Sequence, residues 1–139
     1  MDTHDPIARP AQLILPRLGL VLSGLAGASA VALSAWAAHG LRAQPALQGL
    51  METATAQQQV HALALLGLCL AMRQWGPNRW WQAAWVLLVL GLLLFSVNIT
   101  VRVMTGWDAT RALVPWGGSA WILAWLALAL GAWRARGSG

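Results

Sequence analysis

Four stretches without a single Asp, Glu, Lys or Arg divide this chain. They lie between Arg17 and Arg42, Glu52 and Arg73, Arg79 and Arg102, and Arg111 and Arg134, and hold 24, 20, 22 and 22 residues. An α-helix rises about 1.5 Å per residue, so each stretch is long enough to cross a hydrocarbon layer about 30 Å thick. Membrane strands use alternating segments of roughly ten residues, whereas these runs are apolar on every side, which excludes a barrel. The expected fold class is all-α: a polytopic membrane protein built as an antiparallel four-transmembrane-helix bundle with left-handed packing.

Composition agrees. Of 139 residues, 58% are hydrophobic and 9% charged, outside the usual soluble range. Apolar surface left in water costs about 25 cal/mol per Å², and lipid removes that cost. The expected organisation is an N-terminal tail of residues 1–17, a transmembrane domain of residues 18–134 and a C-terminal tail of residues 135–139. The helices are expected at about 18–40, 53–73, 80–101 and 113–133. The connections contain Pro45, Gly76-Pro77-Asn78 and Thr105-Gly106 and are short, so consecutive helices run up and down beside each other.

The net charge of +5 comes from nine arginines without a lysine. They stand singly or in pairs at the ends of apolar runs rather than along a stripe, the pattern of membrane anchors and not of a nucleic-acid surface. Arg9, Arg17, Arg73, Arg79, Arg134 and Arg136 share one side, and Arg42, Arg102 and Arg111 share the other. Six against three puts both termini in the cytoplasm. Trp75, Trp80, Trp81 and Trp133 are expected at the inner interface and Trp36, Trp107 and Trp116 at the outer one, with Trp121 and Trp125 deeper. Ala35-Trp36-Ala37 also has the form of a signal-peptidase site, but the apolar run before it exceeds the usual 7 to 15 residues, and we read a span.

Polar residues inside the spans gather in the outer half. Counted from the inner arginines, His39, Glu52 and Arg102 reach a common outer level, which makes Glu52 and Arg102 an expected ion pair or one wall of a polar cavity. Thr53, Gln57 and His61 follow i, i+4, i+8 spacing, expected to form a stripe facing the bundle with Gln58 at its border. Asn98 and Arg102 stand at i, i+4 on helix three, with Ser96 nearby, and Ser119 lies at about the depth of His61. A buried neutral imidazole is the plain reading of His61; a proton relay or ligand contact is the functional one. Haem would need His39 and His61 at matching depth, and helical rise separates them by about 13 Å.

Within the spans no His, Cys or carboxylate pair has metal-ligand spacing, and no catalytic or phosphate-binding motif is present, so no cofactor, metal or enzymatic activity is expected. Cys69, alone in an apolar run, reads as a small packing residue. Small residues on helix one, including Gly24, Gly27 and Ala28, suit close helix packing within the chain or, as the rival reading, a dimer face. Pro115 suits a helix start, and Gly117 and Gly118 after it suit close contact.

Several short strings resemble a family of small bacterial inner-membrane proteins of the YgdD and YwdK type, a domain of unknown function (number 423). These are Ala38-His39-Gly40-Leu41, Glu52-Thr53-Ala54 followed by Gln58 and His61-Ala62-Leu63, Phe95-Ser96, Thr105-Gly106, and Pro115-Trp116-Gly117-Gly118 with Ala124-Trp125. The chain departs from the family pattern where Val97-Asn98-Ile99-Thr100 replaces a Gly-Ser-Leu-Tyr run. The resemblance implies a four-helix protein of the bacterial inner membrane and no particular activity. The expected function is that of a non-enzymatic structural or accessory protein, touching membrane lipids and either itself or a larger membrane complex, with no nucleic acid. The alternative is a small transporter with a polar outward-facing cavity.

Overall fold

The computed structural model describes residues 14–135, and all regular structure among them is helical. The expected tails apart from residues 14–17 and 135, and with them His4, Arg9 and Arg136, lie outside the described residues. Four long helices follow one another: α1 (Ile14–Gly40), α2 (Pro45–Trp75), α3 (Arg79–Thr105) and α4 (Val114–Ala135), the last entered through a 3₁₀ turn at Arg111–Leu113. α1 packs along α2 and α3 along α4, and the two pairs join chiefly through α2 against α3. Successive helices are antiparallel: Gln58 reaches Ala26, Ser96 reaches Ala54, and Trp121 reaches Leu88.

Three helices, α1, α3 and α4, are long and apolar enough to cross a membrane. α2 is the longest at 31 residues, but Gln57, Gln58, Gln59 and His61 dilute its apolar run. It also starts eight residues before the expected position 53. Pro45 supplies the reason: at a first helical position its missing N–H goes unneeded and its fixed φ suits the helix, so Ala46 to Glu52 extend α2 outward instead of forming a loop. Residues 14–17, expected in the tail, are likewise helical, and Pro16 is buried.

The turns follow local chemistry. Asn78 caps α3 by accepting from the N–H groups of Trp80 and Trp81, and its side-chain amide donates to the Gly131 carbonyl on α4. Gly106 ends α3 at φ 73°, a left-handed conformation that costs glycine nothing.

Tryptophan seated on glycine is the recurrent packing device. Cys69 Sγ and the indole of Trp85 lie where a Cβ on Gly19 would stand, Trp121 occupies that space at Gly91, and Trp81 occupies it at Gly131. Trp81 is therefore buried between α3 and α4, donating to the Leu128 carbonyl. Trp80, beside it, has its ring within about 5 Å of two guanidinium groups, 5.2 Å from Arg79 and 5.3 Å from Arg134. The core between these contacts contains Leu65, Leu68, Cys69, Met72, Ala84 and Leu88.

The small residues of α1 divide differently from expectation. Gly19 takes the close contact, whereas a Cβ on Gly24 or Gly27 would meet nothing within 4 Å and Ala28 is exposed. Those three are not packing positions inside this bundle, because α1 turns that line outward from α2. On α4 the close position is Gly117, whose Cβ would lie 2.7 Å from the Phe95 backbone nitrogen; Gly118 has open space. Pro115 sits in the first turn of α4 and is exposed.

Candidate functional site

The buried polar layer is built from α2 outward to its neighbours. Thr55, Gln58 and His61 are the inward polar residues of α2, and Thr53 and Gln57 are exposed. The expected stripe fails for a geometric reason. Each i+4 step overshoots a full turn by about 40°, so eight residues carry Thr53 about 80° away from His61.

His61 lies flat on Trp121, with ring centres 3.8 Å apart and planes 7° from parallel, and Trp125 presents its edge at 6.2 Å. Phe95 closes the other side of Trp121 at 5.0 Å. Nδ1–H of His61 donates to the Gln57 carbonyl at 2.8 Å, and Nε2 accepts from the Trp125 indole N–H at 3.3 Å. These partners assign the Nδ1–H tautomer, a neutral ring with both nitrogens engaged. Tryptophan's role on α4, as donor to and stacking partner of a histidine on α2, was not read from the sequence. The signal was there in two tryptophans one turn apart at the depth of His61.

Gln58 ties α2 to α1. Its Nε2 donates to the Ala26 carbonyl at 2.9 Å and to Ser29 Oγ at 2.8 Å. Ser96 ties α3 to α2, donating to the Ala54 carbonyl at 3.1 Å from full burial. Ser96 lies in a π-helical segment, Leu92–Val97, inside α3. The wider turn spreads its side chains so that Phe95 meets Trp121 while Ser96 faces α2, and it coincides with the close approach of Gly117 to Phe95.

The residues at the Arg42 and Arg102 end of the bundle separate into local clusters. Met51 packs with Ala37, Leu41 and Val103, which sets Glu52 level with Arg102. The two nevertheless do not pair. Arg102 forms its ion pair with Asp108 in the α3–α4 connection, and Glu52 accepts from the Gln48 amide on its own helix. A partner six residues along the chain reaches Arg102 without the loss of freedom that bridging two helices entails. Asn98 also serves that connection, donating to the Thr110 carbonyl at 2.9 Å and accepting from its hydroxyl at 3.1 Å. His39 is exposed and its Nδ1 lies 3.2 Å from an Arg42 nitrogen. Ser119, exposed, donates back to the Pro115 carbonyl.

An all-helical bundle with leucine, valine and isoleucine outside and its polar groups paired between helices inside defines an integral membrane protein. Residues 33–118 match the family model described as "Protein of unknown function (DUF423)", and the chain belongs to that family. It is 30% identical over 125 residues to the UPF0382 inner membrane protein YgdD of Escherichia coli K12, covering 88% of this chain and 95% of that one. A UPF0382 membrane protein of Haemophilus influenzae is 30% identical over 84% of this chain and 94% of its own. A UPF0382 membrane protein of Staphylococcus saprophyticus is 31% identical over 83% and 96%. No solved structure matches.

Proposed function

We propose that the chain crosses the inner membrane four times, with both termini in the cytoplasm, and acts there as a non-enzymatic interaction protein through the outward face of α2. One observation carries this reading. Gln57 and Gln59 are exposed on α2, and their side-chain amides have no hydrogen bond among the described residues, whereas the amide nitrogen of Gln58 between them donates twice to α1. Gln59 lies seven residues inward from Glu52, about 10 Å at helical rise, too deep for its amide to reach interfacial water. A polar group held in hydrocarbon without a partner costs several kcal/mol, and another protein surface removes that cost.

The simplest partner is a second copy of this chain. An amide is both donor and acceptor, so two copies related by a two-fold axis satisfy each other with the same residue. Beside Gln59 runs a groove of about 470 Å³ between α1 and α2, lined by Ser23, Gly24, Gly27, Val31 and Leu63 among others. Its glycine floor admits a neighbouring helix closely, which gives Gly24 and Gly27 the intermolecular role in place of an internal one. For the transporter alternative, His61 would have to release a partner to carry a proton, since both its nitrogens are bonded.

Oxidative crosslinking in native membranes tests the proposal. Gln59→Cys is expected to give a covalent dimer, and Leu126→Cys on the outward face of α4 is not. Gln59→Leu should lower the dimer fraction severalfold. Monomer alone from Gln59→Cys, with no crosslinked partner of any mass, would overturn it.

A further inference from the structure

On the opposite side of α1 lies a second crevice, between α1 and α3. It measures about 330 Å³ and is lined by Leu22, Leu25, Ala26 and Ser29 from α1, Gln58 from α2, and Val89, Leu92, Leu93 and Val97 from α3. Its size falls at the lower end of the roughly 300–1,000 Å³ of ordinary ligand pockets. Two features shape it. At the inner end the Trp85 side chain of α3 reaches Gly19 of α1, and the wall toward the outer half is the π-helical stretch that contains Leu92, Leu93 and Val97.

The polar floor is Gln58, which is 6% exposed. The amide orientation is fixed by its surroundings: Nε2 must face the Ala26 carbonyl, because the oxygen there would repel another acceptor. Both hydrogens of Nε2 are then used, one on Ala26 and one on Ser29. Oε1 accepts no hydrogen bond among the described residues, so an acceptor is left over on a residue that lines an apolar crevice. Ser29 cannot supply the missing hydrogen, since its hydroxyl donates to the Ala26 carbonyl.

We propose that this crevice binds an elongated apolar molecule ending in a hydroxyl, taken laterally from the bilayer, whose O–H donates to Gln58 Oε1. The chemistry selects the class. An acyl chain fills the apolar walls but brings no donor, and ester carbonyls are acceptors that the amide oxygen repels. A charged headgroup cannot follow its tail to a site about 9 Å inward from Glu52, six residues along α2. A neutral hydroxyl can, because its desolvation is offset by the bond it makes with the acceptor. The site is separate from the outward face of α2, so its occupancy and the self-association proposed above stand or fall independently.

The test compares three probes of equal chain length on the purified full-length protein in nanodiscs: 1-dodecanol, dodecyl methyl ether and dodecane. The alcohol is expected to raise the melting temperature and to shift the Gln58 side-chain amide resonances, with an apparent affinity at least tenfold above that for the ether or the alkane. Leu93→Trp fills the crevice from an exposed position, leaves the core untouched, and should abolish the response. Gln58→Met should abolish the preference for alcohol; if that variant does not fold, Leu93→Trp alone decides. Equal responses to the three probes, or an alcohol effect that survives Leu93→Trp, would overturn the proposal.

Discussion

His61 on α2 and Trp121 on α4 stack face to face, 3.8 Å between ring centres, and this pair joins two helices that otherwise touch little. Trp121 is itself locked: its indole N–H donates to the Leu88 carbonyl, and it fills the space that Gly91 leaves on α3. One stack thus involves α2, α3 and α4 together. His61→Phe keeps a flat ring but loses the acceptor for Trp125, and should cost no more than about 1.5 kcal/mol, the upper range of a buried interhelical bond. His61→Ala removes the stack and should cost about 2–4 kcal/mol. Unfolding in mixed micelles by denaturing detergent measures both, and equal costs would show that the stack contributes nothing.

The hydrogen bond itself is separable. A double-mutant cycle of His61→Phe with Trp125→Phe should return a coupling of about 0.6 kcal/mol, with roughly 1.7 as the ceiling seen for such bonds. Zero coupling would mean that the Trp125 indole finds another acceptor.

Adjacent glycines on α4 give opposite predictions. A side chain at Gly117 meets backbone atoms of Leu94 and Phe95 in the π-helical segment, where nothing flexible can yield, so Gly117→Ala should cost about 1–3 kcal/mol. Gly118→Ala has open space and removes the helix penalty of glycine, so it should be neutral or stabilising by up to about 1 kcal/mol. Melting temperatures of the two variants in the same detergent check the pair.

In the α3–α4 connection, Asn98 and Arg102 serve one loop with unequal consequence. Asp108 is exposed, and Asp108→Asn should change stability by less than about 1 kcal/mol. Asn98 is buried with both ends of its amide bonded to Thr110, so Asn98→Leu should cost about 1–3 kcal/mol by leaving the Thr110 carbonyl and hydroxyl unpaired. Hydrogen exchange at residues 106–113 should rise in Asn98→Leu and stay unchanged in Asp108→Asn.

The helical class was legible because a run of twenty uncharged residues has few fates. The shared level of Glu52 and Arg102 was legible too, since helical rise alone sets it and Met51 packs against Val103. Facing was not. Over eight residues the drift of a straight helix moved Thr53 out of the bundle, and no count of spacings says which of Gln57, Gln58 and Gln59 finds the Ala26 carbonyl. Tertiary pairings escaped for the same reason: Gly19, Gly91 and Gly131 matter because a tryptophan from another helix lies over each, and the π-helical turn at Leu92–Val97 is invisible in an apolar sequence. Asp108 took Arg102 from Glu52 through chain proximity that a matching of depths ignores.

The reading depends on α2 crossing the bilayer despite its glutamines, and sided cysteine labelling tests that directly. Cys69 is buried, so the background is low. Single cysteines at Ala43, Gly76 and Ala109, before, after and beyond α2, are treated in intact cells with a membrane-impermeant maleimide. Four crossings predict that Ala43→Cys and Ala109→Cys label from outside and that Gly76→Cys labels only after the membrane is opened. Labelling of Ala43→Cys and Gly76→Cys from the same side would contradict the account.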